Sequence, residues 1–223
     1  PEIDQALRDQ LDRIGHSTLL GLGSAASIEL ARRLLEVTPG GLEHVFYSDS
    51  GATAVEVALK MAWQYQRQRP GGGTGRDLFV GLEGAYHGDT IGSVSLGGID
   101  QFHSLYEPLL FDIQRVPAPV TLHRPSGFTA DEWLADCHAR LERVLREQQQ
   151  RIVAVVIEPL VQGAAGILVH PPGYLQRVRS LTRELGLLLI ADEVAVGFGR
   201  TGTLFACEQE DVMPDLLCLA KGL

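Results

Sequence analysis

Leu187-Leu188-Leu189-Ile190-Ala191-Asp192-Glu193 is the most telling stretch of this chain for architecture. Five apolar residues in succession leave no face for water, which describes a strand covered on both sides, as in a parallel sheet between helical layers. The strand delivers two carboxylates at its carboxyl end, where open α/β sheets bind their ligands. Ile152-Val153-Ala154-Val155-Val156-Ile157 repeats the pattern and delivers Glu158-Pro159.

Working outward, helical and strand patterns alternate along most of the chain, the mark of an α/β layer fold. Apolar residues at helical spacing predict helices over 2–14, 25–37, 53–67, 131–149 and 173–185. Short apolar runs predict further strands at 44–47, 77–81, 93–96, 111–116 and 216–220. Pro70 to Arg76 reads as a glycine-rich connection without the Lys-Ser/Thr of a P-loop, and Gly21-Leu22-Gly23 lacks the preceding strand that a dinucleotide fingerprint needs.

The run Leu216-Leu217-Cys218-Leu219-Ala220 delivers Lys221 as the earlier run delivers Asp192. A lysine amine can condense with the aldehyde of pyridoxal 5'-phosphate, and an aspartate can hold the pyridine nitrogen protonated. Ser48-Asp49-Ser50-Gly51-Ala52-Thr53, between a predicted strand and a helix, offers backbone N–H groups to a phosphate, although Ser, Asp and Thr are also ordinary capping residues. Glu83-Gly84-Ala85-Tyr86-His87-Gly88-Asp89-Thr90 sets an aromatic ring and two polar side chains after another strand. That ring can stack on a planar cofactor, and a histidine in such a loop can equally be structural.

Composition bounds the partners. With 223 residues, 45% of them hydrophobic, the chain can bury a real core. A net charge of -9 argues against nucleic acid or an anionic membrane as partner. No apolar run approaches the roughly 20 residues of a membrane span. Cys137, Cys207 and Cys218 lack metal-ligand spacing and read as reduced thiols of a cytoplasmic protein, with no metal site indicated. The ends at Pro1 and Leu223 read as those of a piece of a longer protein, cut on both sides.

In order along the chain, Tyr47-Ser48-Asp49-Ser50-Gly51, Tyr86-His87-Gly88-Asp89-Thr90, Ile157-Glu158-Pro159, Ala191-Asp192-Glu193-Val194 and Ala220-Lys221-Gly222 resemble the motifs of the class III pyridoxal-phosphate-dependent aminotransferases. The resemblance runs from about residue 20 to 223. It implies the large domain of a fold-type-I transferase, with a mostly parallel seven-stranded sheet over 41–223 and a partial helical segment over 1–40. Val161-Gln162-Gly163-Ala164 and Gly197-Phe198-Gly199-Arg200-Thr201-Gly202 look most like the branch that serves biotin biosynthesis. That branch implies amino transfer from S-adenosylmethionine to 8-amino-7-oxononanoate.

By position, the resemblance implies that Ser50, Gly51 and Ala52 hold the phosphate, while Tyr86 and Val194 cover the two faces of the ring. Asp192 would pair with the ring nitrogen, Lys221 would carry the covalent link, and His87 and Glu158 would line the cofactor site. Tyr86, Asp89 and Arg200 are the candidate substrate contacts. Ala195 agrees with the biotin-pathway branch, whereas Val196 and Ala52 stand where that branch usually has threonine and serine. The partners implied are a small-molecule amino donor, an oxo-acid acceptor and a second copy in a homodimer. Other class III activities on ω-amino acids or diamines share every cofactor residue, and a non-catalytic fragment is the reading from a different class.

Overall fold

The computed structural model describes residues 1–72 and 75–223; Gly73 and Thr74, in the glycine-rich connection, lie outside them. Two compact units are present. The smaller comprises residues 1–38 and 43–45, the larger residues 39–42 and 46–223.

In the smaller unit, α1 (Glu2–Arg13) buries no residue and leaves Ile3, Leu7 and Leu11 exposed along one stripe. The second helix, α2 (Ala25–Val37), starts where the Ser24 hydroxyl accepts the N–H of Ser27 at 3.2 Å.

The larger unit is built on a parallel sheet of five strands: β1 (Leu78–Leu82), β2 (Ile113–Val116), β3 (Ile152–Ile157), β6 (Leu188–Asp192) and β7 (Leu216–Cys218). A separate antiparallel pair, β4 (Val161–Gln162) and β5 (Leu168–Val169), follows β3. The spatial order β2-β1-β3-β6-β7 reverses direction at β1 and β3, so the loops leaving those strands diverge and open a crevice.

Residue alternation explains the two helical layers. Phe79, Ala154, Val156, Ile190 and Cys218 face α3 (Gly51–Gln68), which contributes Val55, Ala58, Leu59 and Ala62. Val80, Val155, Leu189 and Ala191 face the opposite way, toward α6 (Ala130–Glu147) and α7 (Tyr174–Glu184) through Leu141, Leu145, Val178 and Leu181. Both faces of the sheet are thus apolar, as the uninterrupted runs implied.

The sheet differs from the seven strands expected in two places. Ser93–Leu96 lies within a short helix, α4 (Ile91–Leu96), which is followed by the one-turn helix α5 (Asp100–His103). Ser93-Val94-Ser95-Leu96 alternates polar and apolar residues, the period of a strand, although all four are buried within the helix. Residues 44–47 form no ladder. The start of α3 also moves, from the predicted Thr53 back to Gly51. Ser50 and Thr53 form a reciprocal capping box, so Thr53 is the third helical residue instead of the first.

Candidate active site

The start of α3 is the floor of the site. Thr53 donates its N–H to the Ser50 hydroxyl at 3.3 Å, and the N–H of Ser50 reaches the Thr53 hydroxyl at 2.8 Å. That box leaves the N–H groups of Gly51 and Ala52 for an outside acceptor, at the positive end of an 18-residue helix.

Three loops from three strands close on this helix start, and the glycines record how tightly. A Cβ on Gly51 would lie 2.6 Å from Val194 Cγ1, in the loop after β6, and 3.4 Å from the Ala220 Cβ, in the loop after β7. Gly88, after β1, has φ +118°, and a Cβ there would lie 2.5 Å from the Ala52 Cβ. Residues far apart in sequence therefore surround the same two N–H groups. Lys221 follows Ala220 directly and is exposed at this junction.

Asp192 ends β6 opposite Cys218 of β7. Its Oδ1 accepts the N–H of Val194 at 3.0 Å, and its Oδ2 lies 2.7 Å from Nδ1 of the buried His87. Burial pulls the imidazole's pKa down, but the hydrogen bond and charge of Asp192, with the charge of Glu158, outweigh it and hold His87 above its ordinary value. Nε2 of His87 is buried without a partner among the described residues.

Glu158 occupies the crevice at the reversal of strand order. Its Oε1 accepts the N–H of Tyr86 at 3.1 Å and its Oε2 the N–H of Gly163 at 2.9 Å, tying the loops after β1 and β3 together. Burial raises its carboxyl above the usual range, against the lowering effects of His87 and the two N–H groups. The Tyr86 hydroxyl donates to Asp89 at 2.8 Å, and burial with the Asp89 contact pushes its pKa up to about 12. One face of the Tyr86 ring stacks on His103, with ring centroids 6.3 Å apart and planes within 11°.

These side chains suit a planar cofactor with one phosphate. Gly51 and Ala52 offer an anion cradle that a larger side chain would fill, Asp192 offers a buried carboxylate, and Lys221 offers an amine. The sequence profile of the class-III aminotransferases matches residues 1–223. This chain belongs to that family. Among the class-III relatives, the adenosylmethionine-8-amino-7-oxononanoate aminotransferase of Nitratidesulfovibrio vulgaris is 57% identical over all of this chain, which covers 41% of the relative. The crystal structure of the enzyme of that name from Methanocaldococcus jannaschii is 40% identical with a TM-score of 0.89, covering 99% of this chain and 48% of that one. An amine transaminase from an uncultivated Pseudomonas species, solved in its PLP-bound form, is 36% identical with a TM-score of 0.89, covering 99% and 50%. The chain spans about half the length of these relatives.

Within this class-III chain, the structure brings Gly51, Ala52, Tyr86, His87, Glu158, Asp192 and Val194 to one place, with Ser50 as the helix cap. Asp89 joins through Tyr86. Arg200 is exposed on the turn after Gly199, and no hydrogen bond or ion pair joins it to these groups among the described residues. Sequence reasoning passed over the His87–Asp192 contact, which no spacing rule predicts, and the stacking of His103 behind Tyr86. It also passed over Glu193, whose carboxylate accepts the N–H groups of Ala206 and Cys207 at 2.7 and 2.8 Å.

Proposed function

We propose that this chain is the cofactor-binding part of a pyridoxal-phosphate-dependent aminotransferase that moves an amino group from S-adenosylmethionine to 8-amino-7-oxononanoate. The observation that carries the cofactor reading is the convergence of the α3 start, Asp192–Val194 and Ala220–Lys221 on one point. The substrate reading rests on relatives such as the adenosylmethionine-8-amino-7-oxononanoate aminotransferase of N. vulgaris, at 57% identity over the whole chain.

Bound there, pyridoxal phosphate supplies an aldehyde carbon that takes up amines and a ring that takes up electrons. The protein's part is positional and electrostatic. Gly51 and Ala52 N–H groups hold the phosphate, helped by the helix dipole. Asp192, oriented by His87 and the Val194 N–H, would hold a proton on the ring nitrogen. Tyr86 covers one ring face from its seat on His103, and Val194 the other. Lys221 Nζ would form the covalent link and would move protons at the reacting carbons, a task worth ~10²–10⁴ in rate. Glu158, Asp89 and Arg200 are assigned to the substrate end, and a cytoplasmic homodimer belongs to the same reading.

A second reading, amino transfer from simple amines, has the likeness to the PLP-bound amine transaminase in its favour. The sequence holds two lysines, Lys60 and Lys221, which sharpens the test. Borohydride reduction of the full-length protein with pyridoxal phosphate, followed by peptide mapping, should label Lys221; label on Lys60 or on neither removes the cofactor reading. Amino transfer to 8-amino-7-oxononanoate from S-adenosylmethionine, but not from simple amines, separates the two substrate readings.

A further inference from the structure

Phe198 is a non-glycine residue held at φ +56°, a conformation that a side chain adopts only when its surroundings impose it. What the strain achieves is visible in its ring, which lies against Gly222. A Cβ on Gly222 would fall 2.5 Å from Phe198 Cγ and 2.7 Å from its Cβ. The backbone of Gly222 is outside the left-handed region, so it is the ring that forbids a side chain there.

The ring is itself fixed. It packs edge-on against Phe205, which is fully buried, with centroids 5.4 Å apart and planes at 63°. Phe205 precedes Ala206 and Cys207, whose N–H groups are held by the Glu193 carboxylate. Gly197, before Phe198, donates to the Glu193 carbonyl at 2.9 Å and has no room for a side chain. Glu193 therefore anchors both ends of the turn that presents the phenyl ring.

Lys221 sits between two pinned neighbours. Ala220 packs at Gly51 on one side, and Gly222 packs at Phe198 on the other. The lysine side chain is exposed among the described residues, so its aim depends on the main chain that carries it. We infer that Phe198 is a positioning residue for Lys221, fixing the main chain at Gly222 so that Nζ points to the place prepared by Asp192 and the α3 start.

The inference rests on the reading that Lys221 carries the cofactor link, and the experiment separates the two. Full-length unsubstituted protein is first reduced with borohydride in the presence of pyridoxal phosphate and mapped; failure to label Lys221 overturns that reading and this one with it. Given the label, F198A should slow formation of the borohydride-trappable link by ~10-fold or more and shift the pH midpoint of the bound cofactor's absorbance change. It should lower kcat by a similar factor while KM stays within about 2-fold. F198Y, which keeps the ring, should return all three readouts to the parental values. G222A alone should reproduce the F198A defect, and the F198A/G222A pair should recover part of it. F198A with the parental rate and pH midpoint overturns the inference. Should F198A not fold, a G222A protein with the parental trapping rate overturns it equally.

Discussion

Oδ2 of Asp192 and Nδ1 of His87 meet at 2.7 Å across 105 residues of sequence, both side chains withdrawn from water. The contact joins the loop after β1 to the end of β6, the strand that separates β3 from β7, so a single hydrogen bond fixes the spacing of two loops at the site. His87 is held above its ordinary value of 6.5, since the Asp192 contact and the charge of Glu158 outweigh burial. A raised pKa means that the folded state binds the proton more tightly than the unfolded chain does. The resulting stabilisation is complete below the ordinary value and is lost as pH rises through the raised one. Urea unfolding of cofactor-free protein should therefore show the largest gap between parent and H87N below the ordinary value of 6.5, shrinking as the pH rises through the raised one. A gap that stays constant or grows with pH contradicts the pairing.

Replacing Asp192 by Asn keeps the shape and the acceptor for the Val194 N–H but removes the charge. D192N should retain pyridoxal phosphate, while transamination falls by at least ~10²–10³-fold, the scale of losing one preorganised electrostatic contact. Cofactor content by absorbance and single-turnover rates check this together. Activity within a few-fold of the parent would show that Asp192 does not serve the ring nitrogen.

Gly51 is a packing constraint as well as a donor. Its Cβ would press on Val194 Cγ1 at 2.6 Å and Cγ2 at 3.0 Å, so G51A should displace the helix start and weaken cofactor affinity. A displacement of this kind is expected to cost about 10-fold, and V194A, which removes both Cγ atoms, should restore part of it in the double variant. Equilibrium titration of the three proteins with pyridoxal phosphate reads the coupling. Strictly additive effects would show that the two residues do not compete for this space.

Glu193 is buried, and its carboxylate accepts two backbone N–H groups. E193A would leave both without an acceptor, at about 1–3 kcal/mol each. The midpoint of urea unfolding should drop accordingly, even in cofactor-free protein. A loss of activity without loss of stability would instead place Glu193 in the chemistry.

The parallel sheet was legible because its strands are buried on both faces, which writes them into the sequence as unbroken runs such as Ile152–Ile157. Burial also hid α4, since Ser93-Val94-Ser95-Leu96 alternates like a strand while both serines are buried with the apolar residues. The candidate residues at strand ends, Glu158, Asp192 and Lys221, could be named because position along a run is a local signal. Contacts between loops could not. His87 on Asp192, His103 behind Tyr86 and Phe198 on Gly222 depend on which strands are neighbours, and that order is written in no single stretch of sequence.

The position of β7 has a consequence for biosynthesis. Among the described residues β7 pairs with β6 alone, and it presents the lysine beside a helix start that left the ribosome about 170 residues earlier. A nascent chain can assemble α3, β1 and β3 and still have no amine at the site. If Lys221 carries the link as proposed, covalent capture of the cofactor waits until the ribosome has released the segment beyond Leu216. On that reading the covalent link could not help α3, β1 and β3 to form before Lys221 has been synthesised.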